Sequence, residues 1–325
     1  MADAALDCLH EEVRALVEDR GWELTPIQKA SAVELVAGAD RMLVAQTGSG
    51  KTEAAVLPLA SRALVEGWTG LSILYITPLR ALNRDIDRRL KNLLEPLGMS
   101  VGLRHGDTTQ KERTRQSKNP PNLLVTTPET TQIMLLGSRL RQHLAGVRAV
   151  VLDEVHDLAA SERGSQLLVG LERISALEGA GEPFQRIGLS ATVGNPKEVA
   201  KWVSGRAKPI HGPAPRTTKV TVHRESPTPE DDLLAGEWGI SPKSIAAFRH
   251  LAKTLIEDPP SLVFVNSRST AESVAQRLAT IVPEINVGVH HGSLAAQTRT
   301  QMEDALRAGE IHGLICTSSL ELGID

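Results

Sequence analysis

The sequence predicts an α/β protein of two parallel-sheet domains in tandem. Three observations carry that expectation. Short β-branched runs alternate with amphipathic helical segments, the pattern of a parallel sheet covered on both faces. The alternation is interrupted once, by the Pro-rich, polar stretch Lys208-Pro-Ile-His-Gly-Pro-Ala-Pro, and then resumes. The chain is 325 residues long, and single domains usually run to about 100–200 residues.

In the first half the strand candidates are Met42–Ala45, Ser72–Thr77, Leu123–Thr126, Ala149–Leu152 and Arg186–Leu189. Helical candidates between them are Lys51–Val65, Ala81–Leu94, Glu129–Leu136 and Ser165–Ser175. The expected first domain is 1–207, with 208–260 as a linker and the start of a second domain. Within that linker Lys219–His223 has a β-like alternation, and Ser226-Pro-Thr-Pro-Glu-Asp-Asp marks a second break before a helix near Pro242–Ile256. The second domain, 261–325, reads as strand Leu262–Asn266, helix Thr270–Ala279, strand Val287–His290, helix Ala295–Ala308 and strand Ile311–Thr317. It is expected to be incomplete at its C-terminus, because the chain stops where another helix should begin.

Composition sets further bounds. Hydrophobic residues at 41% and charged residues at 23% suit a globular chain with a sizeable core, which argues against disorder. The balance of 36 Lys+Arg against 39 Asp+Glu, a net charge of −3, leaves no overall basic footprint, so any nucleic-acid binding must use local patches. Aromatic residues at 2% argue against an extended base-stacking platform. Cys8 and Cys316, at opposite ends of the chain, point to a reducing compartment, and Cys316 reads as a small buried hydrophobe. No stretch reaches the roughly 18 apolar residues that span a bilayer, and the acidic, helix-like N-terminus is unlike a signal peptide. A cytoplasmic, monomeric protein without a membrane partner is expected.

The chemistry begins at Ala45-Gln-Thr-Gly-Ser-Gly-Lys-Thr52, which follows a strand and opens a helix. Gly48 and Gly50 let the backbone curl so that N–H groups of Thr47–Thr52 point at phosphates, with the helix dipole behind them. Lys51 supplies a cation for the phosphate charge, and the Thr52 hydroxyl can ligate Mg²⁺. This predicts an ATP-type nucleotide site, although Ala45 stands where the general pattern has Gly. Downstream, the apolar run before Asp153 and Glu154 predicts a buried strand with both carboxyls at its C-terminal edge, where ligands bind in open α/β sheets. Asp153 is suited to hold Mg²⁺ and Glu154 to orient and deprotonate an attacking water.

At this point a family resemblance emerges. Asp153-Glu-Val-His156 resembles the DExH box of superfamily 2 helicases, which are built on two RecA-like P-loop domains. Ser190-Ala191-Thr192 resembles motif III, which the resemblance implies couples hydrolysis to movement through a hydrogen bond to His156. Thr77-Pro78-Leu-Arg80-Ala-Leu resembles motif Ia, and Thr127-Pro128-Glu129 resembles motif Ib. Thr25-Pro-Ile-Gln28 resembles the adenine-reading segment, implying that the Gln28 amide pairs with the adenine edge. The DEAD-box branch places an aromatic upstream of this Gln, where this chain has Glu11; Trp22 could pack near the base or be an ordinary core or surface residue. In the second half, Leu262–Arg268 resembles motif IV, His291-Gly292-Ser293 a nucleic-acid loop, and Thr317–Asp325 motif V.

By that resemblance Gly323 and Asp325 face the nucleotide, and Thr317 and Ser318 face a phosphate of the strand. Arg80 and Arg268 are the best side-chain candidates for gripping phosphates, since such contacts position a strand without reading sequence. The basic clusters Arg84–Lys91 and Lys111–Lys118 read either as further contacts or as solvated helix faces, and His105 as a nucleic-acid neighbour or a turn residue. The wording of the motifs most resembles the large helicase-related (Lhr) family. That implies an ATP- and Mg²⁺-dependent 3′-to-5′ DNA helicase in repair or nucleic-acid processing, with single-stranded DNA or RNA, duplex DNA or RNA–DNA hybrids as partners. A double-strand translocase that does not unwind, and a nucleotide-dependent clamp without turnover, stay open as alternatives. The family's motif VI, with its arginine finger, would follow Asp325, so weak hydrolysis by residues 1–325 alone is expected.

Overall fold

The structure is a computed structural model. It describes all residues except 1–3, 79–82, 178, 180, 182, 192, 214–219 and 318–325, and not the side chains of 83–85, 138, 139 and 296. The chain divides into two compact units, with the break at Thr217/Thr218.

The first unit is a parallel sheet of seven strands: β1 (Arg41–Val44), β2 (Ile73–Ile76), β3 (Val101–Arg104), β4 (Leu123–Thr126), β5 (Ala149–Leu152), β6 (Gln185–Ser190) and β7 (Lys208–His211). Their order across the sheet is β3-β4-β2-β5-β6-β1-β7. Every pairing is parallel, in registers such as Ile73↔Ala149 and Arg41↔Ile187. All C-terminal strand ends therefore share one edge.

Burial on both faces explains why these strands read as continuous apolar runs. In β2, Ile73 and Tyr75 join one core while Leu74 and Ile76 join the other. In β5, Ala149 and Val151 face the first core, and Val150 and Leu152 the second. Successive strand side chains alternate between faces, so one run must be apolar at every position to serve two cores. Helices Pro26–Val36, Lys51–Glu66 and Asn83–Leu94 supply the first core. Pro128–Leu136, Ser138–Leu144, Glu162–Ser175 and Pro196–Val203 supply the second.

Two strands escape a reading by pattern. β3 has the sequence Val-Gly-Leu-Arg, and β7 is Lys-Pro-Ile-His; both are edge strands. An edge strand carries polar residues and can hold a Pro, so its periodicity is weak. The sequence reading places Lys208–His211 in a linker, whereas it pairs with β1 as the last strand of the first sheet. The converse holds at Lys219–His223. Residues 220–223 form no strand, and Val220 and Val222 are exposed, because an alternating pattern pairs only where a sheet edge receives it.

The second unit begins with an irregular segment, then helices Pro229–Trp238 and Pro242–Glu257. Three parallel strands follow, β8 (Ser261–Phe264), β9 (Val287–His290) and β10 (Gly313–Cys316), in the order β8-β10-β9. Helices Pro242–Glu257 and Arg268–Ile281 pack on one face through Leu255, Ala271, Val274, Leu278 and Ile315. Helix Ala296–Arg307 covers the other through Leu306, which packs with Leu314 and Cys316. Cys316 is fully buried. Among the described residues no helix is long and apolar enough to cross a membrane.

Candidate nucleotide site and strand-facing edges

The loop after β1 curls as its glycines require. Gly48 and Gly50 have φ of 73° and 83°, in the left-handed region that residues with a Cβ avoid. At Gly50 space forbids a side chain as well: a Cβ there would sit 2.5 Å from Gln28 Nε2. Gly50 caps helix Lys51–Glu66, so the loop's N–H groups and the helix N-terminus converge on one anion-binding concavity. Lys51 Nζ donates to the carbonyls of Ala45 and Gln46 at 2.8 and 2.9 Å, which folds its cation back over the loop. The Ser49 hydroxyl is buried without a protein partner, a polar atom turned into the loop.

The segment Thr25–Gln28 braces this loop from outside. Thr25 and Gln28 form a capping box at the start of helix Pro26–Val36. Thr25 Oγ1 also donates to the Ser49 carbonyl at 2.9 Å, and Gln28 Nε2 to the Gly50 carbonyl at 3.2 Å. The Gln28 carbonyl oxygen accepts from Thr25 N at 2.8 Å. Both ends of the Gln28 amide are thus engaged by backbone, and the residue expected to read adenine supports the loop itself. Trp22 is 43% exposed, with the Arg20 guanidinium 4.8 Å over its ring.

Asp153 and Glu154 emerge from β5 at the same edge. Asp153 is buried and accepts two hydrogen bonds, from Tyr75 OH to Oδ2 at 2.7 Å and from Glu154 N to Oδ1 at 2.9 Å. Burial pushes the Asp153 carboxyl up; those two donors and the cations Lys51 and Arg89 pull it down only in part. The Thr52 side chain also acts on the Tyr75 phenol, opposing the upward push of burial, so Tyr75 adjoins both predicted metal ligands. Burial and the Asp153 carboxylate hold the phenol well above its ordinary value, as a donor. This is the only tyrosine of the chain, and the sequence reading missed it. The signal was available: a Tyr in a strand buried on both faces must find a partner for its hydroxyl.

Glu154 has φ 47°, the only described non-glycine residue with positive φ. Such strain persists only where the surroundings over-determine it. It turns the side chain off the strand direction while its own N–H caps Asp153. Its carboxyl is pushed up to about 7, first by burial and then by the Asp153 charge, with Lys51 opposing. His156 Nδ1 lies 3.4 Å from Glu154 Oε2 and 3.3 Å from Ser190 Oγ at the end of β6. Ser190 is buried, Ala191 follows in a bend, and Thr192 lies outside the described residues.

Farther along this edge, Pro78 and Thr127-Pro128-Glu129 are brought together by Arg163. Its guanidinium donates to the Pro78 carbonyl at 3.0 Å and to Glu129 Oε1 at 2.6 Å. Thr127 is buried and its hydroxyl caps helix Pro128–Leu136, accepting from Thr130 N. Its side chain serves the helix start, leaving Glu129 as the exposed member of the trio. Arg80 lies outside the described residues. His105 is buried, and its Nδ1 accepts from Asp107 N at 3.1 Å, the geometry of a turn residue.

In the second unit Arg268, His291, Gly292 and Thr317 gather at the C-terminal ends of β8, β9 and β10. Arg268 is exposed and donates to Ser293 Oγ. His291 is 5% exposed with Nε2 2.9 Å from Glu272 Oε1, so its imidazole is turned into the unit. The exposed Gly292 and Ser293 carry the outer surface of that loop. Thr317 N donates to the His290 carbonyl at 3.2 Å. Ser318, Gly323 and Asp325 lie outside the described residues.

Comparison with known proteins agrees with this geometry. Residues 25–199 match the family "DEAD/DEAH box helicase", and residues 245–325 match "Helicase conserved C-terminal domain". The chain is 36% identical to the ATP-dependent helicase Lhr-Core of Methanothermobacter thermautotrophicus, over 93% of its own length and 37% of that protein's. It is 35% identical to the Lhr helicase/probable uracil glycosylase of Mycolicibacterium smegmatis, over 93% of its length and 23% of the relative's. It therefore spans well under half of each of these relatives. Among solved structures, that of Mycobacterium smegmatis helicase Lhr bound to ssDNA and AMP-PNP aligns with a TM-score of 0.81 at 34% identity, covering 99% of this chain and 43% of that one. DUF1998 helicase MrfA bound to DNA shares the fold, with a TM-score of 0.76 at 22% identity over 98% of this chain and 46% of that one. Since the first of these family matches alone spans more than half of its residues, the chain belongs to the DEAD/DEAH box helicase family, and it is similar to the Lhr helicases.

Proposed function

We propose that this chain is the ATP-hydrolysing core of a nucleic-acid helicase that moves 3′-to-5′ along single-stranded DNA, acting on DNA duplexes and RNA–DNA hybrids in repair or nucleic-acid processing. The observation that carries the reading is the set at one sheet edge: a glycine-curled loop with Lys51, a tyrosine-clamped Asp153, and a Glu154 whose carboxyl sits at about 7. A base poised near neutrality is matched to taking a proton from water.

The donor set fits Mg²⁺, a hard cation that prefers oxygen ligands. The Thr52 hydroxyl and the Asp153 carboxylate would hold it, with the Asp153 carboxylate fixed in place by Tyr75. Bound there, the ion would offset the negative charge that develops on the phosphates. The remaining roles belong to the chain. Loop N–H groups and Lys51 hold the phosphates, which requires the Nζ to leave the Ala45 and Gln46 carbonyls. Glu154 accepts the proton of the attacking water, and the His156–Ser190 contact links that carboxylate to the end of β6. Glu129 and Pro78, held together by Arg163, form a rigid surface at the start of helix Pro128–Leu136 for a phosphate backbone. Arg268 and the Gly292–Ser293 loop are the counterpart in the second unit. Support for single-stranded DNA comes from the Lhr structure with ssDNA and AMP-PNP.

The test is nucleotide binding and turnover with and without single-stranded DNA. Lys51→Ala should abolish binding. Glu154→Gln should keep binding but lose turnover by roughly 10²–10⁴-fold, the usual contribution of general-base catalysis. Turnover of Glu154→Gln equal to wild type would overturn the assignment. A duplex-unwinding assay from either end of a fork then separates 3′-to-5′ unwinding from translocation without unwinding.

A further inference from the structure

The second unit holds a cluster that the nucleotide site and the strand-facing edge do not use. His223 and Glu225 lie on the irregular segment before helix Pro229–Trp238, and His250 on helix Pro242–Glu257. One ligand atom from each lies within 4.8 Å of the other two. His250 Nδ1 is 3.0 Å from Glu225 Oε1, and the imidazoles of His223 and His250 stand 4.3 Å apart, tilted by 33°. His223 and Glu225 are exposed and His250 half-buried.

We infer that His223, Glu225 and His250 form a divalent transition-metal site, of the class that takes Zn²⁺, which staples the segment around 223–225 to helix Pro242–Glu257.

The donor types argue for such a metal rather than for Mg²⁺ or Ca²⁺. Two imidazoles and one carboxylate suit Zn²⁺, which binds three protein ligands and a water in many sites of this kind, whereas Mg²⁺ and Ca²⁺ take oxygen. Positions 223 and 225 are two apart on the irregular segment, and both meet the helix that supplies the third ligand. Zn–N and Zn–O bonds of about 2.0–2.2 Å bring ligand atoms to roughly 3.5 Å from one another. Rotation of the exposed His223 and Glu225 side chains closes the remaining gap while the helix holds His250. The cations that flank His250 within its helix are turned to carboxylates of their own: Arg249 to Asp231 at 3.1 Å and Lys253 to Glu257 at 3.8 Å. Without a metal, the irregular segment meets the helix here through the His250–Glu225 contact and the tilted imidazole pair; a metal replaces these with three coordinate bonds across the same gap.

Equilibrium dialysis of residues 1–325 against Zn²⁺, with excess Mg²⁺ to fill oxygen-rich sites, tests this. Wild type should retain one equivalent of Zn²⁺ more than His223→Ala, Glu225→Ala or His250→Ala. Zn²⁺ should also raise the melting temperature of wild type, but not that of His223→Ala or Glu225→Ala, each compared with the same protein in chelator. His223 and Glu225 are exposed, so those two variants keep the fold even where His250→Ala does not. Equal Zn²⁺ retention by wild type, His223→Ala and Glu225→Ala would overturn the assignment.

Discussion

Glu154→Gln should stabilise the metal-free, nucleotide-free protein, and the gain should grow with pH. The Glu154 carboxyl is raised from 4.5 to about 7 in the fold, first by burial and then by the Asp153 charge. The unfolded chain therefore releases this proton near 4.5, while the folded chain keeps it to about 7. Between those values the folded state binds more protons, so stability falls as pH rises through the window. At about 1.4 kcal/mol for each pH unit, the ionised side chain costs the fold about 3 kcal/mol above pH 7. Gln has nearly the same shape and no charge, so the substitution removes that penalty. Below pH 4.5 both states of the wild type are protonated, and the two proteins should converge. For a unit of this size 1 kcal/mol moves the melting temperature by about 2–4 °C, which predicts a gain of roughly 6–12 °C at pH 8. Scanning calorimetry in chelator, at pH 8 and pH 4.5, measures the difference for the first unit's transition. An equal difference at the two pH values, or a less stable variant at pH 8, would refute the reasoning.

Other substitutions probe the supports of the site. Tyr75→Phe removes the donor to the buried Asp153 Oδ2, where a hydrogen bond to a charged group is worth about 1.5–3 kcal/mol. The variant should melt lower, and it should need more Mg²⁺ for half-maximal nucleotide binding because Asp153 holds its proton to higher pH. Unchanged Mg²⁺ dependence would show that Tyr75 is structural filler rather than a positioning residue. Gly50→Ala places a Cβ 2.5 Å from Gln28 Nε2 at a φ of 83°. The backbone strain alone costs about 1–2 kcal/mol, and Gln28 must leave the Gly50 carbonyl. Weaker binding of an ATP analogue and a lower melting temperature are expected, and wild-type values for both would contradict the bracing role given to Gln28.

Much of the molecule was legible before its structure. The strands buried on both faces, β2, β4 and β5, announce themselves because every position must be apolar. The loop before Lys51 and the pair Asp153-Glu154 are readable because phosphate binding and water activation each need particular residue types at the end of a strand. Edge strands β3 and β7 were hidden because an edge strand need not be apolar throughout, and Val220 and Val222 misled because pairing is decided by distant partners. Tertiary structure alone decided which side chains support the chemistry. Tyr75 meets Asp153 across 78 positions of sequence, and Arg163 meets Pro78 across 85. It also decided that the hydroxyl of Thr127 caps a helix and that the imidazole of His291 is buried on Glu272, residues for which the motif resemblance implied strand contacts. Local sequence determines what a residue can donate or accept; the packing of strands far apart in the chain determines which partner is within reach.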